Sequence, residues 1–347
     1  MSQRVVLTGA NGFLGSHILS DLLDNGFFVR SIVRSQAKAD TLLQNFSSYK
    51  SQMDFGIVED MTLPGAFDSV VKSIPPFDTV IHQASPFMLR TFTDNSEVLD
   101  PAMKGTIELL KAVKAHAPEV KRVIYTSSCA AIINFTAPIA TTPRKVYTEK
   151  DWNPVKHSEA IAGDIGTAYR ASKKFAELAA WNFVDENKPN FDLVTLCPPM
   201  IYGPLTHTSS ISNIKDLNES NFRIYNAFFN SAKDAPLPPN GVHMFVDVRD
   251  LAIAHRLAAT TPGAGGQRII VSARAISSQD ISDILRKNFQ ELESRTPLGK
   301  VGISSLPENA YYIENKQARK ILGCEFRSDE ETFMELGKQL LEIEKAS

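Results

Sequence analysis

Three observations predict an α/β fold, a doubly wound parallel sheet with a smaller α/β C-terminal lobe. Short runs rich in Val, Ile and Leu alternate with helical patterns through residues 1–200. A glycine-punctuated turn follows the first run and opens the first helical pattern. After Pro198-Pro199 the texture shifts to Ser, Thr, Asn and Pro, with strand and helix signals resuming near 244.

The predicted strands are VVLT (5–8), FVRSIV (28–33), DFGIVE (54–59), TVIHQA (79–84), RVIYTSS (122–128) and DLVTLCP (192–198). Their near-continuous apolar character marks strands covered on both faces. Helical patterns lie between them at about 13–25, 66–74, 97–116 and 163–188. Repeated strand–helix–strand order implies right-handed crossovers and hence a parallel sheet. Further on, a helical pattern occupies about 211–232, and MFVDVRDLAIAHRLAA reads as strand then helix over 244–260. RIIVSA (268–273) is a further strand, followed by a helix near 278–289 with Ser277 and Asp280 at its start. Ser328 with Glu331 forms a capping box for the terminal helix. The expected division is a nucleotide-binding domain over 1–200, with 244–260 returning to it, and a mainly substrate-binding lobe over 201–347.

The composition is that of an ordinary globular chain: 43% hydrophobic, 22% charged, net charge −2. That balance argues against nucleic acid or an anionic membrane as partner. Three cysteines without close spacing suit a reducing compartment. The first strand begins almost at the initiator Met, and no apolar run approaches the roughly 18–20 residues of a membrane span. The expected location is the cytoplasm. No His, Cys or carboxylate cluster has metal-ligand spacing, so no metal is expected.

The turn reads Thr8-Gly9-Ala10-Asn11-Gly12-Phe13-Leu14-Gly15. A strand feeding a helix places free N–H groups at the sheet's carboxyl edge, and glycines let a pyrophosphate approach them. Gly9, Asn11, Gly12, Phe13, Leu14 and Gly15 are the candidate contacts. The spacing is Gly-x-x-Gly-x-x-Gly, a departure from the usual Gly-x-Gly-x-x-Gly. After the second strand, where an NAD enzyme carries an acid, stand Arg34 and, one turn on, Lys38. Cations there favour a 2′-phosphate, so NADPH is the expected cofactor. Asp60 and Met61 follow the third strand, Asp60 as an adenine acceptor or a turn cap. Ala84 and Ser85 close the fourth strand beside the glycine turn, and the neighbouring His82 reads as a packed core histidine.

Tyr169 and Lys173 are four apart at the start of the helical pattern AYRASKKFAELAAWNFVDE, so they share a face. A nearby ammonium is expected to lower the phenol pKa toward neutral. Ser127-Ser128 ends a preceding strand at the same sheet edge.

TGANGFLG, the YTSS strand end, YRASK and CPPMIYGP together resemble the extended short-chain dehydrogenase/reductases, Rossmann-type proteins. Within them the chain is similar to dihydroflavonol-reductase-like proteins and fungal NADPH-dependent aldehyde, ketone and methylglyoxal reductases. AELAAWNFVDENKPNFDL and ARKILGCEFRSDEETF extend the likeness over nearly the whole chain. The resemblance implies a carbonyl reductase, with Ser128 binding the substrate carbonyl and Tyr169 donating the proton. It implies that Lys173 holds the nicotinamide ribose and acidifies Tyr169. Thr126, Pro198, Met200 and Ser210 are further cofactor contacts on the same ground. Phe87, Cys129 and Tyr202, with Met88 and Phe135, are placed by position around a small-molecule carbonyl substrate. Relatives occur as monomers and homodimers.

Two departures stand out. DPAMKGTIELLKA lacks the Asn that many relatives carry on that helix, with Glu108 in a late slot, and Cys197-Pro198 replaces more usual residues. Cys197 reads either as a thiol beside the nicotinamide or as buried filler. A sugar-nucleotide epimerase or dehydratase stays open as an alternative, although residues 203–245 carry only scattered cations, Lys215, Arg223 and Lys233. A non-catalytic NADPH-binding regulator is a third possibility.

Overall fold

The computed structural model describes residues 3–84, 94–208, 211 and 213–346. Twelve strands occur among them: β1 Arg4–Thr8, β2 Phe28–Val33, β3 Met53–Ile57, β4 Thr79–His82, β5 Arg122–Thr126, β6 Val146–Tyr147, β7 Asp192–Cys197, β8 Met200–Tyr202, β9 Met244–Asp247, β10 Arg268–Ile270, β11 Arg274–Ala275 and β12 Tyr312–Ile313. The α-helices are α1 Phe13–Asp24, α2 Gln36–Asn45, α3 Ser96–His116, α4 His157–Ala162, α5 Ile165–Asn187, α6 Glu219–Ile224, α7 Val248–Thr260, α8 Ser278–Asn288 and α9 Asp329–Ala346.

Seven strands form one parallel sheet in the order β10-β7-β5-β4-β1-β2-β3. From β1 the chain winds outward to β3, then returns to β4 on the other side of β1 and winds away through β5, β7 and β10. The reversal leaves a crevice beyond the carboxyl ends of β1 and β4, where such sheets bind ligands.

Each strand is covered on both faces because its apolar residues point alternately up and down. Val5 and Leu7 enter one core with Leu14, Ile18 and Leu22 of α1 and Leu251, Ala254 and Ala258 of α7. Val6, Val80 and Val123 enter the other with Leu109 and Val113 of α3 and Ala176, Ala180 and Phe183 of α5. A third core joins Tyr202, Phe228, Phe245 and Leu285 to Phe333 and Leu340 of α9, beneath a three-stranded sheet ordered β11-β9-β8.

Several boundaries differ from expectation for identifiable reasons. The predicted helix at 66–74 is a chain of turns, with N–H groups of Ala66, Asp68 and Val70 bonding three residues back. Gly65 adopts φ +75 at its start and Pro75-Pro76 stands at its end, so the span is too short to propagate a helix. The helix α2 has only Ala39 and Leu42 buried, too weak an apolar stripe to be read from sequence. The pattern at 211–232 breaks into short pieces, a 3-10 turn at Ile214–Asp216, α6 and a π turn at Tyr225–Phe229. Ser277 and Asp280 form a reciprocal capping box, and Ser328 Oγ accepts from Glu331 N at 3.1 Å. No helix among the described residues is long and apolar enough to cross a membrane.

Candidate active site

The glycine turn lies at the sheet's reversal point. Gly9 adopts φ +70, and a Cβ there would fall 2.4 Å from Gln83 Nε2 and 3.2 Å from Ala84 Cα. A Cβ on Gly15 would fall 2.1 Å from the Gly9 carbonyl oxygen, so this glycine lets α1 approach β1. Gly12 caps α1 without a side-chain hydrogen bond, and no acid stands in the first turn. That leaves free N–H groups and the positive end of the helix dipole beside Asn11, which is exposed, and the half-buried Phe13. Leu14 packs inward, at 6% exposure. Ala84 N donates to Thr8 Oγ1 at 3.1 Å, closing β4 onto β1.

Arg34 and Lys38 are both exposed, one at the end of β2 and the other in the first turn of α2. Neither forms an ion pair with a carboxylate among the described residues. A glycine cradle, an uncapped helix start and an unneutralised cationic pair fit a dinucleotide carrying a 2′-phosphate. Asp60 is engaged otherwise: its Oδ1 accepts from Thr62 N at 2.8 Å and Thr62 Oγ1 at 2.7 Å. Those bonds hold its carboxyl below the usual range and make it a turn cap, with the other oxygen left for a ligand. Met61 packs against Gly105 of α3, where an added Cβ would meet its terminal methyl. Ser85, Phe87, Met88 and Ser210 lie outside the described residues.

Ser128 caps a 3-10 turn, Cys129–Ala131, with its Oγ accepting from Ala130 N at 3.1 Å. The helix α5 is capped by Asp164, which accepts from Thr167 N at 2.6 Å, and so presents its first turns to the same edge. There the Tyr169 phenol lies close enough to the Ser128 hydroxyl for that group to favour its ionised form. Lys173 is buried, its Nζ 5.8 Å from the Tyr169 ring centre. Burial, opposed by no carboxylate, brings its pKa down to about 8. Tyr169 moves opposite to expectation: burial raises its phenol pKa, and the Ser128 hydroxyl only partly offsets the rise. Desolvation of the phenolate is the larger of the two effects.

Other expected contacts are redirected. Thr126 Oγ1 bonds His255 Nε2 at 2.8 Å, while His255 Nδ1 bonds the Leu251 carbonyl, so this hydroxyl is committed to α7. Cys129 is 1% exposed and its thiol donates to the Cys197 carbonyl at 3.2 Å. Tyr202 is likewise packed in the lobe's core, its ring 5.3 Å from that of Phe333. Small and aromatic side chains at these positions fill space between layers. Cys197 is fully buried with its thiol pKa pushed up, which makes it filler. Pro198 O accepts from Cys129 N at 2.8 Å, tying its loop to the serine turn, and Met200 opens β8. His82 is a core histidine, bonded through Nδ1 to Thr8 Oγ1 at 2.8 Å and pushed down to about 3 by burial. Glu108 accepts from Gly65 N and Lys111.

Sequence reading missed Glu177 and Arg268, a buried ion pair at 2.8 Å behind the serine strand. The position of Glu177, four past Lys173 on one helix face, was the available signal. Among the described residues no group of His, Cys, Asp and Glu is placed to hold a metal.

Residues 5–272 match the NAD dependent epimerase/dehydratase family. The chain belongs to that family. Within it, the chain is 40% identical to a ketoreductase of Aspergillus niger over 94% of both chains. It is 34% identical to the NADPH-dependent methylglyoxal reductase of Saccharomyces cerevisiae over 98% of both. The fold superposes on the crystal structure of yeast methylglyoxal/isovaleraldehyde reductase complexed with NADPH with a TM-score of 0.91 and 32% identity, covering 99% of this chain and 100% of that one.

Proposed function

We propose that this chain is an NADPH-dependent carbonyl reductase that converts an aldehyde, ketone or 2-oxoaldehyde to the alcohol. The observation that carries the reading is the gathering of Ser128, Tyr169 and, one helical turn on, the buried Lys173, its Nζ 5.8 Å from the Tyr169 ring centre, at the sheet edge that also bears the glycine turn. Its relatives named for NADPH-dependent reduction support the same chemistry.

The glycine turn and the start of α1 would hold the pyrophosphate, Arg34 and Lys38 the 2′-phosphate, and Lys173 the nicotinamide ribose. When bound, NADPH supplies the hydride. Tyr169, a phenol protonated at neutral pH as any tyrosine is, with burial raising its pKa further, is in the state needed to give a proton to the carbonyl oxygen. Ser128 would donate a hydrogen bond to that oxygen, orienting it toward the phenol. Charge developing on the oxygen is met by two hydroxyls beside a buried ammonium.

The lobe offers little to a second diphosphate. Arg223 is occupied by the Pro239 carbonyl at 3.0 Å, and the nearby core is aromatic and aliphatic. The substrate we assign is therefore small and mostly apolar. Three buried free thiols accord with a reducing compartment, and we place the enzyme in the cytoplasm.

The test is a panel of aldehydes, ketones and 2-oxoaldehydes with NADPH, followed by loss of nicotinamide absorbance, in wild type and Tyr169→Phe. Turnover in wild type that collapses in the variant supports the assignment. Equal rates in both would remove it.

A further inference from the structure

Glu177 is fully buried, on α5, one turn beyond Lys173 and two beyond Tyr169. Its carboxylate collects donors from three strands. Ser127 Oγ, adjacent to Ser128 at the end of β5, donates at 2.6 Å. Thr195 Oγ1 of β7 donates at 2.8 Å, and Arg268 of β10 donates through two nitrogens at 2.8 and 3.2 Å. Trp181 Nε1 adds a longer contact at 3.4 Å. The same guanidinium donates to the carbonyls of Glu149 and Asp151 at 2.9 and 2.6 Å and stacks 3.6 Å over the Trp152 ring.

A buried ion pair is a poor device for stability, since desolvation consumes most of its attraction. What it supplies is direction. Charged hydrogen bonds tolerate little change of distance or angle, and these cross from the helix bearing Tyr169 to the strand end bearing Ser128.

We propose that the Glu177–Arg268 pair is a positioning element that fixes α5 against the end of β5 and so sets the Ser128–Tyr169 separation. This rests on the reductase reading. Neither residue touches substrate; Glu177 acts through Ser127 on the serine beside it.

Two variants test it. Glu177→Gln keeps the shape but leaves Arg268 without a countercharge. Ser127→Ala keeps the ion pair and cuts only the link to the serine strand, so it remains informative if the first variant folds poorly. A displacement of about 1 Å at a reacting group costs on the order of a hundredfold. Both variants are accordingly expected to lose about ten- to a hundredfold in kcat, with the NADPH dissociation constant, read by fluorescence, changed less than about twofold. Because the effect runs through Ser128, adding Ser127→Ala to Ser128→Ala should cost less than about twofold more. Wild-type kcat in Ser127→Ala, or the same fold loss with and without Ser128, overturns the proposal while leaving the reductase reading intact. If wild type reduces no carbonyl, that reading falls by itself. The positioning claim is then decided by crystal structures, and an unchanged Ser128 Oγ–Tyr169 Oη distance in Glu177→Gln overturns it.

Discussion

The side chains of Ser128 and Tyr169 lie beside each other, although one follows the end of a strand and the other sits in the first turns of a helix far along the chain. Ser128 Oγ accepts from the Ala130 N–H at 3.1 Å, which leaves its own proton for another acceptor. The pair presents two hydroxyls to whatever oxygen enters between them, beside a buried ammonium.

Tyr169→Phe removes the proton donor while keeping the ring. Loss of a general acid costs on the order of 10²–10⁴ in turnover. NADPH binding, measured by fluorescence, should be nearly unchanged, because the phenyl ring stays in place. A variant rate within about threefold of wild type contradicts the role.

Arg34→Ala separates the two dinucleotides. A charge-assisted hydrogen bond is worth roughly 1.5–3 kcal/mol, so NADPH affinity should fall by about tenfold or more and NADH affinity hardly at all. Titration of both cofactors decides it, and equal weakening would show that Arg34 does not read the 2′-phosphate.

Lys173 makes stability pH-dependent in a definite direction. Its pKa is about 8 in the folded chain and near 10.5 unfolded, so between those values the unfolded chain binds the proton more tightly. Below about pH 8 the fold bears the full cost of a buried ammonium, on the order of 3 kcal/mol, and that cost vanishes as pH rises to 10.5. Lys173→Met, without cofactor, should thus be more stable than wild type in urea at pH 7 and match it near pH 10.5. A gap that stays constant across that range rules the account out.

Acid should destabilise the fold through its buried histidines. His17 and His255 are pushed down to about 4 and His82 to about 3, all by burial, against 6.5 unfolded. As pH falls from 6.5 toward 4, the unfolded chain takes up protons that the fold refuses, at about 1.4 kcal/mol per unit per group. Urea midpoints should drop steadily from pH 7 to 5, less steeply in His82→Gln. Parallel slopes in the two proteins would count against His82 as a contributor.

Gly15→Ala tests the close approach of α1 to β1. The added carbon would lie 2.1 Å from the Gly9 carbonyl oxygen, forcing backbone to move. A cost of about 1–3 kcal/mol in urea unfolding is expected, with weaker NADPH binding because the cradle shifts. Unchanged stability and affinity would mean that the turn yields freely.

Strands, crossovers and the glycine turn were legible in the sequence because each follows from neighbours in the chain. The double covering of β1, β2, β4, β5 and β7 is written in continuous apolar runs, and the shared face of Tyr169 and Lys173 in a spacing of four. What three-dimensional packing decided depends on partners distant in sequence. The Thr126 hydroxyl went to His255, Cys129 and Tyr202 were drawn into cores, and the Tyr169 pKa rose because of burial. The grip of Glu177 on Ser127, Thr195 and Arg268 exists only once α5, β5, β7 and β10 lie side by side. Local patterns set which segments form, since they act over a few bonds. Desolvation and hydrogen-bond partners are set by the whole assembled fold, which no stretch of sequence contains.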